Sequence, residues 1–244
     1  MDRRSLLLAG LVSLTGCVRN SAVEPPQLVV DAVPDESILQ ALFEPGTEFE
    51  LTVGGRAGVV LRDVGLLNLP TGSVIAADPS WLPSWQRLGI APYTAAVRPG
   101  KYPVVLSVMS SQGVDLVAAA KLSIISSSVT SWSLALRPGE NPRSPQTGEY
   151  FGVGVDVGNA GFLDAAALKY MAEHQAASGG ELDVLAVQLS TQRTDPVTGA
   201  SYIVFNTGYG DGHYPVWVGR DAGGVVVCFV MDMLIAQLPR TSGS

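Results

Sequence analysis

The side chains best suited to chemistry stand near the end of the chain, in the stretch GYGDGHYPVWVGRDAGGVVVCFVMD at residues 208–232. His213 is one of only two histidines in the chain, and a hydrolase could use it as a general base. Asp211 or Asp221 could orient its imidazole, because catalytic triads are assembled in space and not in sequence. The chain has no G-x-S-x-G motif to supply a serine nucleophile. His213 and Asp211 are the catalytic candidates, although the sequence favours a protein without enzymatic activity.

Aspartates at turns could instead bind calcium, which takes oxygen ligands from carboxylates and backbone carbonyls. Expected strand ends and turns carry six of them: Asp78, Asp156, Asp164, Asp211, Asp221 and Asp232. The calcium candidates are Asp156, Asp211 and Asp221. None has EF-hand spacing, and aspartates in glycine-rich turns commonly accept hydrogen bonds from their own backbone. Calcium binding and turn formation are therefore competing interpretations. Zinc needs three or four His or Cys ligands, and the chain has only two of each.

Recognition of a small ligand or a protein is a further use for these side chains. The residues predicted to contact a ligand are Asp78, Asp156, Asp164, Asp211 and Tyr214. Trp81 and Trp85 lie in the proline-rich stretch DPSWLPSWQRLGIAPY, which predicts a loop whose aromatic rings favour recognition. Trp132 and Trp217 fall within expected strands, where packing is their more ordinary role.

Cys17 is the residue with a predicted modification. The segment MDRRSLLLAGLVSLTGC at residues 1–17 begins with Arg3 and Arg4, continues with an apolar stretch and ends on small residues before the cysteine, as export signals do. It is too short for a transmembrane helix. Its end, LTGC, resembles the lipobox of bacterial lipoproteins, and this resemblance implies a lipidated Cys17 at the mature N-terminus. An ordinary signal peptide cleaved nearby, or a buried apolar N-terminus, is the alternative.

These features predict three segments: an export signal at 1–16, the lipidated cysteine with a tether at 17–34, and a single β-rich domain at 35–244. The paired arginines leave both the general secretory and the twin-arginine routes open. Two or more acyl chains anchor a protein stably, so we expect an exported protein held to a membrane of the bacterial cell envelope. The only other cysteine, Cys228, lies in the apolar run VVVCFV, which predicts a buried, inert thiol.

Composition favours β structure in that domain. Of the 244 residues, 47% are hydrophobic and 15% charged, with 27 glycines and 16 prolines, which is typical of short elements joined by tight turns. Apolar runs of strand length recur between turn signals, with hairpins expected around Gly54 and Gly55 and around residues 221–224. We predict a mainly β, antiparallel, sandwich-like fold with one helix near 165–178, capped by Asp164. The net charge of −7 argues against a nucleic-acid partner.

Five segments carry a family resemblance. They are ADPS at 77–80, GKYPVVLS at 100–107, VAAAKLSI at 117–124, GVDVGNAGFLD at 154–164, and the stretch at 208–232. In this order they resemble an uncharacterised bacterial family, domain of unknown function 4241. The resemblance implies one compact β-rich domain, and it carries no established reaction, cofactor or catalytic residue. The family's terminal Val-x-Asp-Phe is replaced here by VMDM at 230–233, a departure that concerns the packing of the last strand.

Together these observations favour a membrane-anchored lipoprotein whose domain binds a protein or a small ligand without catalysis. One alternative is a hydrolase or metal-assisted enzyme built on the Asp and His loops. The other is an envelope structural protein with no small ligand. No cofactor is assigned, and calcium is the one candidate.

Overall fold

A computed structural model of the protein describes residues 35–141, 151–177 and 189–239. The predicted export signal, Cys17 and the tether lie outside the described residues. So does nearly all of the apolar run DVLAVQL at 183–189, which is of the length that predicts a strand. Antiparallel strands dominate the described part, which confirms the mainly β prediction. No helix within these ranges combines the length and hydropathy needed to cross a bilayer.

The described residues form fourteen strands, three α-helices and two short 3-10 helices. The strands are β1 (Glu48–Leu51), β2 (Arg56–Leu69), β3 (Val74–Ala77), β4 (Gly100–Ser111), β5 (Val114–Ser123), β6 (Ser131–Leu134), β7 (Val153–Val155), β8 (Asn159–Asp164), β9 (Ser190–Thr194), β10 (Ser201–Asn206), β11 (Gly212–Tyr214), β12 (Val216–Arg220), β13 (Val226–Asp232) and β14 (Ala236–Gln237). The helices are α1 (Glu36–Ala41), α2 (Trp85–Leu88) and α3 (Leu168–Ala177), and the 3-10 helices are Pro79–Ser84 and Ala165–Ala167.

Eight of the strands form one antiparallel sheet in the order β14-β1-β2-β4-β5-β13-β12-β6. Both hairpins predicted from turn residues belong to it. β1 and β2 are joined through Gly54 and Gly55, whose φ angles of 94° and 92° favour glycine. β12 and β13 are joined at Asp221, whose Oδ1 accepts hydrogen bonds from the N–H groups of Gly223 and Val225 at 2.9 and 3.0 Å. The turn residues therefore help to set the register of this sheet.

A second antiparallel sheet has four strands in the order β3-β8-β10-β9. Its side chains alternate between two hydrophobic clusters, as the two-residue period of a strand requires. In β10, Ile203 and Phe205 join the cluster shared with the eight-stranded sheet, whereas Tyr202 and Val204 join the cluster that contains Met171 of α3. Strands β3, β8 and β10 of the small sheet are thus buried on both faces, whereas the polar edge strand β9 is partly exposed. The core common to the two sheets agrees with the sandwich-like prediction.

The helix predicted at 165–178 is α3 preceded by a 3-10 turn. Asp164 caps this turn, because its Oδ1 accepts a hydrogen bond from the N–H of Ala166 at 2.7 Å. Leu168 and Met171 face the cluster on the outer side of the small sheet. The predicted helix is confirmed with its first turn tightened to 3-10 geometry, and its last predicted residue, Ser178, lies outside the described residues.

The proline-rich segment after β3 is helical, so the prediction of a loop is wrong there. Asp78 caps the 3-10 helix that begins at Pro79, and the fixed φ of proline suits the first position of a helix. Trp81 and Trp85 are partly buried and pack against the cluster around α3. The cap and the initial proline override the usual tendency of Pro and Ser to form loops.

Gly161→Ala should destabilise the four-stranded sheet. An added Cβ at Gly161 would lie 2.2 Å from the carbonyl oxygen of Ile203 and 2.5 Å from Cε2 of Tyr202, and neither the paired backbone nor the buried ring can easily move. Overpacking of this kind costs about 1–3 kcal/mol, which urea unfolding measures directly. Gly58→Ala is the matched control, since its Cβ would meet only the flexible end of Glu48. Equal losses in the two variants would contradict the prediction.

Candidate functional site

Asp78 is the buried centre of the loops predicted to bind a ligand. It directly follows β3 and its side chain is fully buried. Its Oδ1 accepts a hydrogen bond from the N–H of Ser80 at 2.6 Å, and its Oδ2 accepts one from the N–H of Asp156 at 2.7 Å. Burial raises the pKa of this carboxyl, and the N–H donors act in the opposite direction. Because both oxygens serve backbone donors, Asp78 holds the loops in place instead of facing a ligand.

Trp81 fixes the position of the Asp156 side chain. The indole Nε1 donates a hydrogen bond to Oδ2 of Asp156 at 2.7 Å. The ring lies directly over Gly154, where an added Cβ would be 2.3 Å from Cη2 of the indole. Asp156 itself is exposed. A carboxylate at the surface is therefore oriented by a partly buried aromatic ring, and a glycine on β7 makes room for that ring.

Asp211 fastens the loop before β11 to the turn after β7. Its Oδ1 accepts a hydrogen bond from the N–H of Gly158 at 2.9 Å, and Gly158 has a φ of 66°. The N–H of Thr207 donates to the carbonyl of Gly158 at 3.1 Å, so two hydrogen bonds meet at this glycine. Tyr214 closes the loop, because its hydroxyl donates to the carbonyl of Gly210 at 2.8 Å. Burial raises the pKa of Tyr214 to about 12, which keeps the hydroxyl a donor at neutral pH.

His213 is exposed and lies on the two-stranded sheet of β7 and β11, opposite Gly154. Its imidazole packs close to Gly152, since an added Cβ there would be 2.9 Å from Nε2. His213 and Asp211 are close in sequence, but Oδ1 of Asp211 accepts a hydrogen bond from the backbone N–H of Gly158. The carboxylate of Asp211 is therefore engaged in loop closure.

The structure brings part of the predicted site to one short segment. Among the predicted site residues, Asp156 belongs to the segment 152–158, and those that contact or pair with it are Asp78, Asp211, His213 and Tyr214. Within 35–141, 151–177 and 189–239, no group of three or more His, Cys, Asp or Glu side chains is arranged to hold a metal ion. What the segment offers is a polar surface of two loops whose backbones are tied to each other.

Asp164 and Asp221 lie away from this surface. Asp164 pairs with Val74 at the opposite end of β3 from Asp78, and its oxygens also accept hydrogen bonds from the hydroxyl of Thr71 at 2.9 and 2.8 Å. Asp221 follows β12 whereas Tyr214 precedes it, a separation of roughly 20 Å along an extended strand. These aspartates share a turn context in the sequence, but the fold places them away from the loops that carry Asp156 and Asp211.

Asp232 is a third aspartate with a structural position. It ends β13, its Oδ1 accepts a hydrogen bond from the N–H of Leu234 at 2.8 Å, and its side chain is partly buried. Burial raises the pKa of Asp232 from 3.8 to about 6, and the Leu234 N–H offsets part of this effect. The carboxyl is thus held in an environment that disfavours its charge.

Arg137 supports the site and was missed by sequence reasoning. Its Nη1 and Nη2 donate to the carbonyls of Gly152 at 3.4 Å and Ala76 at 3.2 Å, and its guanidinium lies 5.5 Å from the ring centroid of Tyr93. Glu140 pairs with it at 3.6 Å. These hydrogen bonds connect β3 to the residue that precedes β7. Arg137 is 15 positions from Gly152 and 61 positions from Ala76 in sequence, so no local sequence pattern indicates the contacts.

The fold and the site define a layered antiparallel β protein whose surface loops are held by aspartate carboxylates that accept backbone hydrogen bonds. A family model described as "Protein of unknown function (DUF4241)" matches residues 67–231, and the chain belongs to this family. The matched range contains Asp78, Asp156 and Asp211 with the loops that they hold. No curated protein and no solved structure is significantly similar to the chain.

Asp78→Ala should destabilise the protein strongly. The change leaves the N–H groups of Ser80 and Asp156 without their acceptor, and an unsatisfied buried donor costs about 1–3 kcal/mol. We expect a loss of about 2–5 kcal/mol in the free energy of unfolding, measured in urea with tryptophan fluorescence as the signal. Asp63→Ala is the control, because Asp63 accepts a similar hydrogen bond, from Gly65, at an exposed position. A loss no larger than that of the control would contradict the assigned role.

Asp232→Asn should stabilise the protein at neutral pH. Burial raises the pKa of Asp232 in the folded state to about 6 from its ordinary value of 3.8, so the folded state binds a proton more readily than the unfolded chain. The charged carboxyl therefore lowers stability as the pH rises above about 4, and the loss is complete above about 6. Asparagine removes the charge and can still accept from Leu234. The gain has an upper bound of about 3 kcal/mol at pH 7 and shrinks as the pH falls from about 6 to about 4. Urea unfolding across this range tests the sign, and a pH-independent difference would contradict it.

Proposed function

We propose that the protein is an exported lipoprotein, anchored to a membrane of the bacterial cell envelope through Cys17, whose β-rich domain binds a protein or small-ligand partner. The anchor is supported by the LTGC motif after a short apolar stretch that begins with Arg3 and Arg4. The segment at 18–34, rich in prolines and small residues, supports a tether that separates the domain from the bilayer. Either export route fits the paired arginines.

The binding role is supported by one observation about the loops. Asp156, Asp211 and His213 are exposed, while the backbone beneath them is fixed by Asp78 and by Gly158. The loops of such a surface are already ordered before a partner binds, and this preorganisation reduces the entropy lost on binding. Carboxylate oxygens of Asp78, Asp156 and Asp211 already accept hydrogen bonds from the protein. Because these oxygens hold the loops in place, the surface is better suited to recognition than to catalysis.

The residue types of the surface indicate the chemistry of a partner. Two carboxylates and one imidazole give a surface that complements amines, guanidinium groups or hydroxyls. The net charge of −7 adds a long-range attraction for cationic groups. We therefore propose a partner that presents basic or hydroxyl groups to residues 156 and 211–213.

Cys17→Ser should release the protein from the membrane. Serine has no thiol to receive the lipid, and no helix of the described residues is long and apolar enough to cross a bilayer, so loss of the acyl chains removes the proposed anchor. We expect the unchanged protein in the membrane fraction and the variant in the soluble fraction, with loss of labelled palmitate from the variant. Cys228→Ser is the matched control and should stay membrane-bound. Membrane retention of the Cys17 variant would overturn the anchor and leave the proposed loop surface untouched.

A further inference from the structure

A cleft of about 400 Å³ opens between α1 and the strands β5, β13 and β6. Its lining includes Phe43, Lys121, Ser123, Val129, Trp132 and Cys228, and none of its lining residues belongs to the loops at 152–158 or 207–214. Small-molecule sites typically have volumes of about 300–1,000 Å³. The cleft is thus a separate feature whose size suits a small ligand.

Sheet register creates one wall of the cleft. Ser123 lies opposite Cys228, Cys228 opposite Gly219, and Gly219 opposite Trp132, so these four residues form a row on one face of four neighbouring strands. An added Cβ at Gly219 would be 3.0 Å from Sγ of Cys228 and 3.1 Å from Cζ3 of Trp132. The glycine therefore lets the indole extend across β12 toward the thiol. Burial raises the pKa of Cys228 to about 11, which keeps the thiol neutral at physiological pH.

Lys121 supplies a positive charge and Glu44 a negative charge to the lining of this cleft. Its Nζ lies 4.2 Å from the centroid of the Phe43 ring, an attractive cation–π contact. The ion pairs of the described residues are Arg56–Glu50, Arg137–Glu140 and Lys169–Glu173, so none of them involves Lys121. Burial lowers the pKa of this lysine. An ammonium group has three donors, and the ring face can satisfy only part of that capacity.

Trp132 contributes a second donor to the same wall. Its Nε1 is buried and has no hydrogen-bond acceptor among the described residues. Buried polar groups in proteins are nearly always paired, and an exception calls for an explanation. Lys121 and Trp132 both line the cleft. An ammonium group and an indole N–H without acceptors are together complementary to a ligand that carries oxygen acceptors and a negative charge.

We propose that this cleft binds a small organic anion, namely a carboxylate or phosphate ester on a flat apolar body. The anionic group pairs with Lys121, the apolar body lies against Phe43 and Val129, and a further oxygen accepts from the indole of Trp132. Pairing with an anion stabilises a lysine that burial otherwise disfavours. The inference goes beyond the loop surface proposed above and depends neither on that surface nor on the anchor at Cys17.

The test is a titration of the full-length protein in detergent by isothermal calorimetry, with a detergent-only blank. The probes are 2-naphthoate and 2-naphthyl phosphate, which separate carboxylates from phosphate esters, and the uncharged 2-naphthamide. We expect at least one anion to bind, with naphthamide at least tenfold weaker. Equal binding of the amide and both anions, or no binding of any probe, would overturn the proposal.

Variants assign the binding to the cleft. Lys121→Met keeps an unbranched side chain over Phe43 but removes the charge, and it should weaken the affinity for the anion at least tenfold. Lys121→Arg keeps the charge and should retain binding. Trp132→Phe keeps an aromatic wall and removes the donor, and should weaken binding severalfold. Lys101→Met, at an exposed position on β4, is the matched control. Unchanged affinity in Lys121→Met would overturn the site.

A second measurement avoids any variant that fails to fold. Lysines of the unchanged protein are acetylated with an N-hydroxysuccinimide ester, and the rate at each lysine is read by mass spectrometry. The anion should slow the acetylation of Lys121 and leave Lys101 unaffected. Equal rates at Lys121 with and without a bound anion would place the binding elsewhere and overturn the assignment.

Discussion

The carboxylate of Asp78 is the group on which the loop surface depends. A fully buried charge is unfavourable unless it is paired or hydrogen-bonded, and Asp78 meets that condition with two backbone N–H donors. One donor starts the helical segment after β3 and the other belongs to the turn after β7. The two oxygens of Asp78 therefore fix two chain segments that are distant in sequence, since their donors Ser80 and Asp156 are 76 positions apart. The hydrogen bonds from Trp81 to Asp156 and from Gly158 to Asp211 stabilise the same turn after β7.

The four-stranded sheet is the layer that makes this arrangement rigid. Its strands β3, β8 and β10 are buried on both faces, so they pack against the large sheet on one side and α3 on the other. Such a strand tolerates little change in register, because a one-residue slip exchanges the two sets of side chains. Gly161 allows β8 to approach β10 closely. Cys228 is the only cysteine in the described ranges and is free, so within those ranges the layers are joined by packing and by hydrogen bonds such as that from Gln192 of β9 to the Leu66 carbonyl of β2.

The parts predicted from the sequence are those that local chemistry determines. Gly54 and Gly55 were sufficient for one hairpin and Asp221 for another, because turn residues act over four or five positions. Asp164 was likewise recognisable as a cap. The helical segment around Trp81 could not be predicted, because proline and serine residues are common both in loops and at the start of helices. Asp156 and Asp211 were singled out as candidates by their turn context. Their hydrogen-bond partners, Trp81 and Gly158, could not be predicted, because the fold brings them together from distant parts of the chain.

The two polar features of the molecule differ in a way that bears on their ligands. At the loop surface the carboxylates are exposed and part of each accepts hydrogen bonds from the protein. In the cleft the lysine is partly buried and forms no ion pair within the described part of the chain, although Glu44 also lines the cleft. The chain carries a net charge of −7, which repels anions at a distance, but charges separated by more than about 8 Å are screened at physiological ionic strength. Selection of an anion by the cleft must therefore come from contacts within a few ångströms of Lys121. A cationic partner of the loops, by contrast, gains from the field of the whole protein.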